Sequence, residues 1–244
     1  MDLGDGVVTP GGWDLRPAAG RIPWPGSLGG LRCLDVGTMD GFWAFEMERR
    51  GAAEVVATDL ADPAAQDAPA GRAPGGPTPE ARLRGRTFAL AGEALGSRAE
   101  YRSRNVYDLD PSHDGEFDLV FAGYVLQMVR DPLRALEAIR SVCRGHLILL
   151  DTVSAPLSLL PAPLARLNAR RGHLEWFVFN RAGLRQAVAM AGFEAEATTG
   201  LIRDTAGPGV AGTLSPSMRA RHAIGVLGRS MAIRARARPS PPRR

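Results

Sequence analysis

The strongest chemical signal in the chain is a seven-residue turn. Asp35-Val36-Gly37-Thr38-Met39-Asp40-Gly41 follows a short apolar run and reads D-x-G-x-x-x-G, a turn opening a helix. Gly37 removes the Cβ that would hold a ligand off the backbone, and Gly41 lets the helix start pack close to the strand. Plain strand-to-helix packing is the alternative use of such a turn. Asp59 stands at the tip of the next apolar run, where a carboxylate can accept two hydrogen bonds from a ribose diol. The bland alternative, a cap for the next helix, is weakened by the Pro-rich stretch that follows. Turn and carboxylate together point to a nucleoside-bearing ligand. A dinucleotide fingerprint needs G-x-G-x-x-G, but Met39 holds the middle position, so a pyrophosphate would lose its close backbone approach. A ligand without phosphate fits better. S-adenosylmethionine is one: it has a ribose diol, an adenine, a sulfonium, and a carboxylate that can meet backbone donors at the turn.

The elements that must position these residues follow from periodicity. LRCLDVG (31–37) suits a strand covered on both faces. DGFWAFEMERRGA places Phe42, Phe45 and Arg49 on one side of a helix, with Trp43 and Met47 beside them and Gly51 as terminator. EVVAT (54–58), ending at Asp59, completes a βαβ unit with a right-handed crossover. Residues 60–79, rich in Ala, Pro and Gly, cannot bury enough to fold alone and read as a flexible surface insertion. A helix over 80–95 is expected next, then strands at 100–104, 117–122 and 146–151. A helix opens at Asp131-Pro132, with Leu133, Leu136, Ile139 and Val142 on one face. Residues 152–180 form an irregular acceptor-side segment. A helix capped by Asn180 runs to Gly192, and strands are expected at 194–199 and 219–226.

This alternation predicts an α/β fold: a doubly wound, mostly parallel, seven-stranded sheet finished by an antiparallel edge hairpin. The 244 residues, 45% apolar, supply one domain over 1–228. Residues 229–244 read as a basic disordered tail. Six of the 30 arginines fall there with no acid, which leaves 24 against 26 acidic residues, so the body carries −2. The positive net charge of +4 is thus a property of the tail and a weak argument for nucleic acid. Cys33 and Cys143 are the only cysteines and both lie in apolar context, which argues against a disulfide framework or a metal site built on cysteine. No apolar run is long enough to span a membrane and the first residues lack a signal-peptide pattern, which points to a cytoplasmic protein.

Several of these strings also resemble a known family. LDVGTMDG, VVATD, NVYDLD and FDLVFAGYVLQMVRDP resemble the class I S-adenosylmethionine-dependent methyltransferases. DLGDGVVTPGGWDLR, DGFWAFEMERRGA and EWFVFNRAGLRQAVAMAGF look like the group within it that includes the bacterial tRNA wobble-uridine carboxymethyltransferase. In that group the pattern begins a few residues earlier, and this chain starts inside it. The resemblance covers residues 2 to about 226. It implies a Rossmann-like fold and S-adenosylmethionine as cofactor, with Asp35, Gly37, Thr38 and Gly41 around the methionine moiety and Asp59 on the ribose. Asn105 and Val106 would flank the adenine, and Ala122, Gly123 and Tyr124 would lie beside the sulfonium and acceptor. The wobble-uridine enzyme has Tyr-His where this chain has Gln127-Met128, and no lysine is present to pair with an extra carboxylate. Both features favour plain methyl transfer over carboxymethyl transfer.

Methyl transfer is an in-line displacement that asks mainly for positioning and desolvation. A general base is needed only for an acceptor that must lose a proton; the candidates are Tyr124, Asp151, His173 and Glu175. Trp176, Phe177 and Phe179 could line a flat acceptor site, with core packing as the alternative. The expected partner is a small-molecule acceptor such as a secondary metabolite. The alternatives are a tRNA-modifying enzyme and, since fold does not dictate function, a nicotinamide-dependent oxidoreductase or a relative without catalysis.

Overall fold

The computed structural model describes residues 1–62, 65–67, 85–167, 175–211 and 229–239. A leader holds β1 (Trp13–Asp14) and α1 (Arg16–Ala19). Next come β2 (Arg32–Val36), α2 (Phe42–Arg49) and β3 (Glu54–Asp59), the expected strand-helix-strand unit. Then follow α3 (Arg86–Leu95), β4 (Glu100–Ser103), α4 (Pro111–Asp114), β5 (Phe117–Gly123), α5 (Pro132–Val142) and β6 (Cys143–Thr152). The remainder comprises β7 (Ala165–Leu167), β8 (Phe177–Phe179), α6 (Arg181–Met190), β9 (Phe193–Thr198), β10 (Ile202–Arg203), β11 (Thr205–Ala206), α7 (Pro208–Ala211) and β12 (Arg229–Ala237).

Eight strands form one sheet in the order β4-β3-β2-β5-β6-β12, with β9 and β10 both pairing the outer edge of β12. β4, β3, β2, β5 and β6 are parallel, and β12 runs antiparallel to β6, β9 and β10. This is the Rossmann-like, mostly parallel architecture expected from the alternating pattern. Burial on both faces explains why β2, β5 and β6 read as apolar runs: Cys33, Leu34, Leu119, Val120, Phe121, Leu147, Ile148, Leu149 and Leu150 are buried. One core lies under α5 and α6, the other under α2 and α3. The direction of the crossovers changes between β2 and β5, so the crevice for a ligand opens at the carboxyl ends of these strands. Two short antiparallel pairs, β1 with β11 and β7 with β8, stand outside the main sheet.

Local signals account for several boundaries. The Asp131 carboxylate accepts the Arg134 N–H at the start of α5, with Pro132 in its first turn. Asn180 caps α6 through Gly183 N–H at 2.7 Å, while its amide donates to the carbonyls of Leu157 and Ala162. One buried asparagine thus holds both the helix and the flap before it. Leu133 departs from its expected face and is half exposed; Ala135 takes its place in the core with Leu136, Ile139 and Val142.

The largest departure lies at the end of the chain. Residues 229–237, expected as the start of a disordered arginine tail, are β12, inserted between β6 and β9 rather than at an edge. Met231, Ala232, Ile233 and Ala235 are fully buried. The arginines are accommodated because β9 supplies an acid: Glu196 lies 3.4 Å from the Arg234 guanidinium and 2.9 Å from that of Arg236. Arg234 also donates to the Trp24 carbonyl at 3.1 Å. β9 occupies the place of the first strand of the expected hairpin, but its partner is β12 and not 219–226, and the described sheet has eight strands instead of seven. The strand expected at 219–226 and most of the 60–79 insertion lie outside the described residues. No helix among the described residues is long and apolar enough to cross a membrane.

Candidate cofactor and acceptor site

The Gly turn leaves β2 at the switch point. Gly37 has φ +73°, and a Cβ there would come within 2.8 Å of the Val125 side chain. Gly41, at φ +92°, lies against the rings of Phe45 and Phe88, which leave no room for a Cβ. Gly37 and Thr38 both donate their N–H groups to the Thr58 carbonyl of β3, at 2.8 and 3.0 Å. Met39 has φ +50°, and its N–H donates to Asp59 Oδ2 at 2.7 Å. The loop is thus a close-fitting backbone cradle tied to the neighbouring strand, with the Met39 side chain exposed.

Asp35 lies beneath this cradle, 1% exposed, and neither carboxylate oxygen has a hydrogen-bond partner. The Thr38 hydroxyl is likewise buried without a partner. Burial pushes the Asp35 carboxyl up to about 7; the nearby Thr38 hydroxyl and Ala44 N–H pull it down without reaching hydrogen-bond geometry, and the Asp59 and Asp40 charges raise it further. Unpaired buried acceptors are costly. Three such oxygens at one glycine turn suit a ligand that brings donors and a positive charge.

Asp59 reaches the position expected of it, 6% exposed at the tip of β3. Its oxygens accept from Met39 N–H and Leu60 N–H, both at 2.7 Å. Asn105 follows β4, and its side-chain oxygen caps the 3-10 turn Val106–Asp108 through Tyr107 N–H. Val106 packs on the core beside it. Ala122 is fully buried inside the sheet, so it can offer a ligand little more than its backbone. Gly123 sits against the Trp43 indole, which stacks on Phe121 with centroids 4.5 Å apart.

Tyr124 has φ +60°, an uncommon conformation for a bulky residue and one that concentrates at functional sites. Its hydroxyl donates to Asp204 at 2.8 Å, and Ser230 at the start of β12 donates to the same oxygen at 2.7 Å. Burial pushes the phenol well above its usual range, and the Asp204 charge adds to this. Asp151, at the end of β6, is 2% exposed. Its oxygens accept from Leu126 and Thr152 N–H at 2.8 and 2.7 Å, and burial pushes it up to about 7. Tyr124 and Asp151, two of the four base candidates, are therefore gathered at the site end and already engaged in holding loops.

His173 lies outside the described residues. Glu175 is half-buried. Trp176 donates its backbone N–H to the Gln127 carbonyl at 2.7 Å, which seats the residues before β8 on the 3-10 turn Leu126–Met128. Trp176, Phe177 and Phe179 are half-buried. The residues 6–13 run into β1, which pairs with β11 through Trp13 and Ala206. Sequence reasoning missed Asp204 and Ser230. A period-two signal was present for Ser230, since SMAIRARA alternates Ile233 and Ala235 with Arg234 and Arg236, but the arginine count masked it.

Residues 15–198 match a family model described as a methyltransferase domain. No curated protein matches the chain at a significant level. Among solved structures, an S-adenosylmethionine-dependent methyltransferase from Mesorhizobium loti is similar, with 18% identity over 91% of this chain and 97% of that one, and a TM-score of 0.56. The 1,6-didemethyltoxoflavin-N1-methyltransferase of Burkholderia thailandensis, with its substrate and S-adenosylhomocysteine bound, has 17% identity over 92% and 78% of the two chains and a TM-score of 0.57. Magnesium protoporphyrin IX methyltransferase from Synechocystis PCC 6803, with S-adenosylhomocysteine bound, has 17% identity over 87% and 76%, and a TM-score of 0.53.

Proposed function

The chain belongs to the methyltransferase-domain family, and from that premise we propose that it moves the methyl group of S-adenosylmethionine to a small-molecule acceptor. The observation that carries the reading is the unpartnered Asp35 carboxylate with the Thr38 hydroxyl, buried beneath a glycine cradle. Those groups would hold the methionine end: the Asp35 carboxylate accepts from the ammonium, and the ionic pairing removes the penalty of its burial. Asp59 would take the ribose hydroxyls, and Asn105 and Val106 would border the adenine. Bound there, S-adenosylmethionine supplies a methyl carbon already activated by positive sulfur.

The protein's own share is then to orient the acceptor and exclude water. Asp151 fixes the 3-10 turn after β5 by accepting Leu126 N–H, so the backbone at 123–126 stays in register with the Gly37 turn. Tyr124 fixes the other side of that strand tip to Asp204. Both side chains thus serve first to hold the loops around the strand tip. Small-molecule acceptors in two proteins of the same fold, a toxoflavin precursor and magnesium protoporphyrin, support the substrate class.

The tRNA reading draws on the resemblance and on the basic tail, and of that tail Arg234 and Arg236 are paired with Glu196 inside the sheet. Calorimetric titration of the full chain with S-adenosylhomocysteine tests the reading. Binding that weakens in Asp35→Asn is expected, and no binding by the unaltered protein overturns it. Mass spectrometry of nucleoside retained on the purified protein distinguishes the plain from the carboxylated cofactor.

A further inference from the structure

Asp67 lies eight positions beyond Asp59 and makes long-range contacts. Its Oδ2 accepts the Tyr107 hydroxyl at 2.7 Å and the Arg130 N–H at 2.8 Å, across 40 and 63 residues of sequence. The Tyr107 oxygen in turn accepts the Asp131 N–H at 2.8 Å, and the Arg134 guanidinium stands 4.8 Å over the Tyr107 ring. One carboxylate oxygen thus joins three segments: the stretch that follows β3, the 3-10 turn after β4, and the start of α5. The negative charge at the amino end of α5 is also favourable to the helix dipole.

All three segments leave the carboxyl ends of strands, on the side where the ligand crevice opens. Tyr107 adjoins Val106 and Asn105, and Arg130 follows the turn that carries Val125 beside Gly37. Asp67, eight positions beyond Asp59, therefore stands against the wall formed by the β4 and β5 loops. Ala61 N–H also reaches the Ser103 hydroxyl at 3.2 Å, so the departing strand end is held to β4 as well.

We propose that Asp67 is a positioning residue that closes the nucleoside end of the cofactor site, by fixing the Tyr107 turn and the start of α5 to the segment that follows Asp59. The proposal rests on the cofactor reading above. It assigns Asp67 no contact with the ligand. Its carboxylate sets the distance between walls that the ligand touches, and its loss lets water accept from the Tyr107 hydroxyl and the exposed Arg130 N–H in its place, with little cost to the fold.

The test uses the full chain and two probes, S-adenosylhomocysteine and adenosine, with affinity by calorimetry and release by stopped flow. Asp67→Ala is expected to weaken both probes by about tenfold, the worth of one charge-assisted hydrogen bond, mainly through faster release. Asp67→Asn keeps an acceptor oxygen and should restore most of the affinity. Tyr107→Phe should weaken both probes in the same direction, and Asp67→Ala added to it should cost less than it does alone, since the Tyr107 contact is shared and only the Arg130 contact remains to be lost. Asp35→Asn is the contrast: it should weaken S-adenosylhomocysteine and leave adenosine unchanged. Unchanged affinity in Asp67→Ala overturns the proposal, as does a loss that simply follows a fall in melting temperature or spares adenosine. Failure of the unaltered protein to bind S-adenosylhomocysteine overturns the cofactor reading, and this proposal with it.

Discussion

Asp35→Asn keeps the shape of a buried side chain and removes its charge, so its consequences can be worked out in sign and size. In the ligand-free fold the carboxyl is raised from 3.8 to about 7. At about 1.4 kcal/mol per pH unit, the ionised form costs about 4 kcal/mol. The folded value lies above the unfolded one, so the folded state binds the proton more tightly. The penalty is absent below about pH 4, grows as pH rises, and is complete above about pH 7. Asp151, also pushed up to about 7 by burial, adds a similar slope of its own. The unaltered protein without ligand should therefore lose stability between about pH 4 and pH 8, and Asp35→Asn should lose about half as much. For a chain of this size, about 4 kcal/mol corresponds to a melting temperature about 8–16 °C higher for the variant at about pH 8. Ligand affinity should move the other way. Losing a charge-assisted hydrogen bond of about 1.5–3 kcal/mol weakens S-adenosylhomocysteine by about ten- to a hundredfold. In the unaltered protein, binding should tighten as pH rises through about 7, because the ligand ammonium meets the ionised carboxylate. Differential scanning fluorimetry across this pH range, with calorimetry at two pH values, checks both halves. Equal pH slopes in the two proteins, or equal affinities, refute the reasoning.

Three further outcomes follow from the same geometry. Asp59→Ala removes the proposed ribose acceptor and the clamp on Met39 N–H together, so titration with S-adenosylhomocysteine should show a loss of at least about tenfold. Tyr124→Phe leaves Asp204 without its phenol donor and should lower stability by about 1–3 kcal/mol in urea melts, with Asp204→Asn less severe because it keeps an acceptor oxygen. Deleting residues 229–244 removes β12 and exposes β6 and β9, so the product should be insoluble or unfolded by circular dichroism, whereas a disordered tail would be lost without effect.

The sequence by itself determined what depends on neighbours along the chain. Apolar runs of strand length, the caps at Asp131 and Asn180, and the glycines at 37 and 41 act over a few residues. They therefore defined the strand-helix alternation, the position of the cradle and the placing of Asp59 at a strand tip. Tertiary structure decided what depends on partners far away. Arginine-rich residues 229–237 become an interior strand because Glu196 and the open hydrogen-bonding edges of β6 and β9 meet them, and no local pattern announces an acid on another strand. Tyr124 also acts as a support, because Asp204, 80 residues on, accepts a hydrogen bond from its hydroxyl. Asp67 emerges from a stretch that composition marks as featureless because Tyr107 and Arg130 converge on it. The buried, unpaired state of Asp35 also belongs to this class. Periodicity placed the residue at the end of a strand, but only the packing around it shows that both its oxygens lack a donor, which is the physical reason to expect a ligand there.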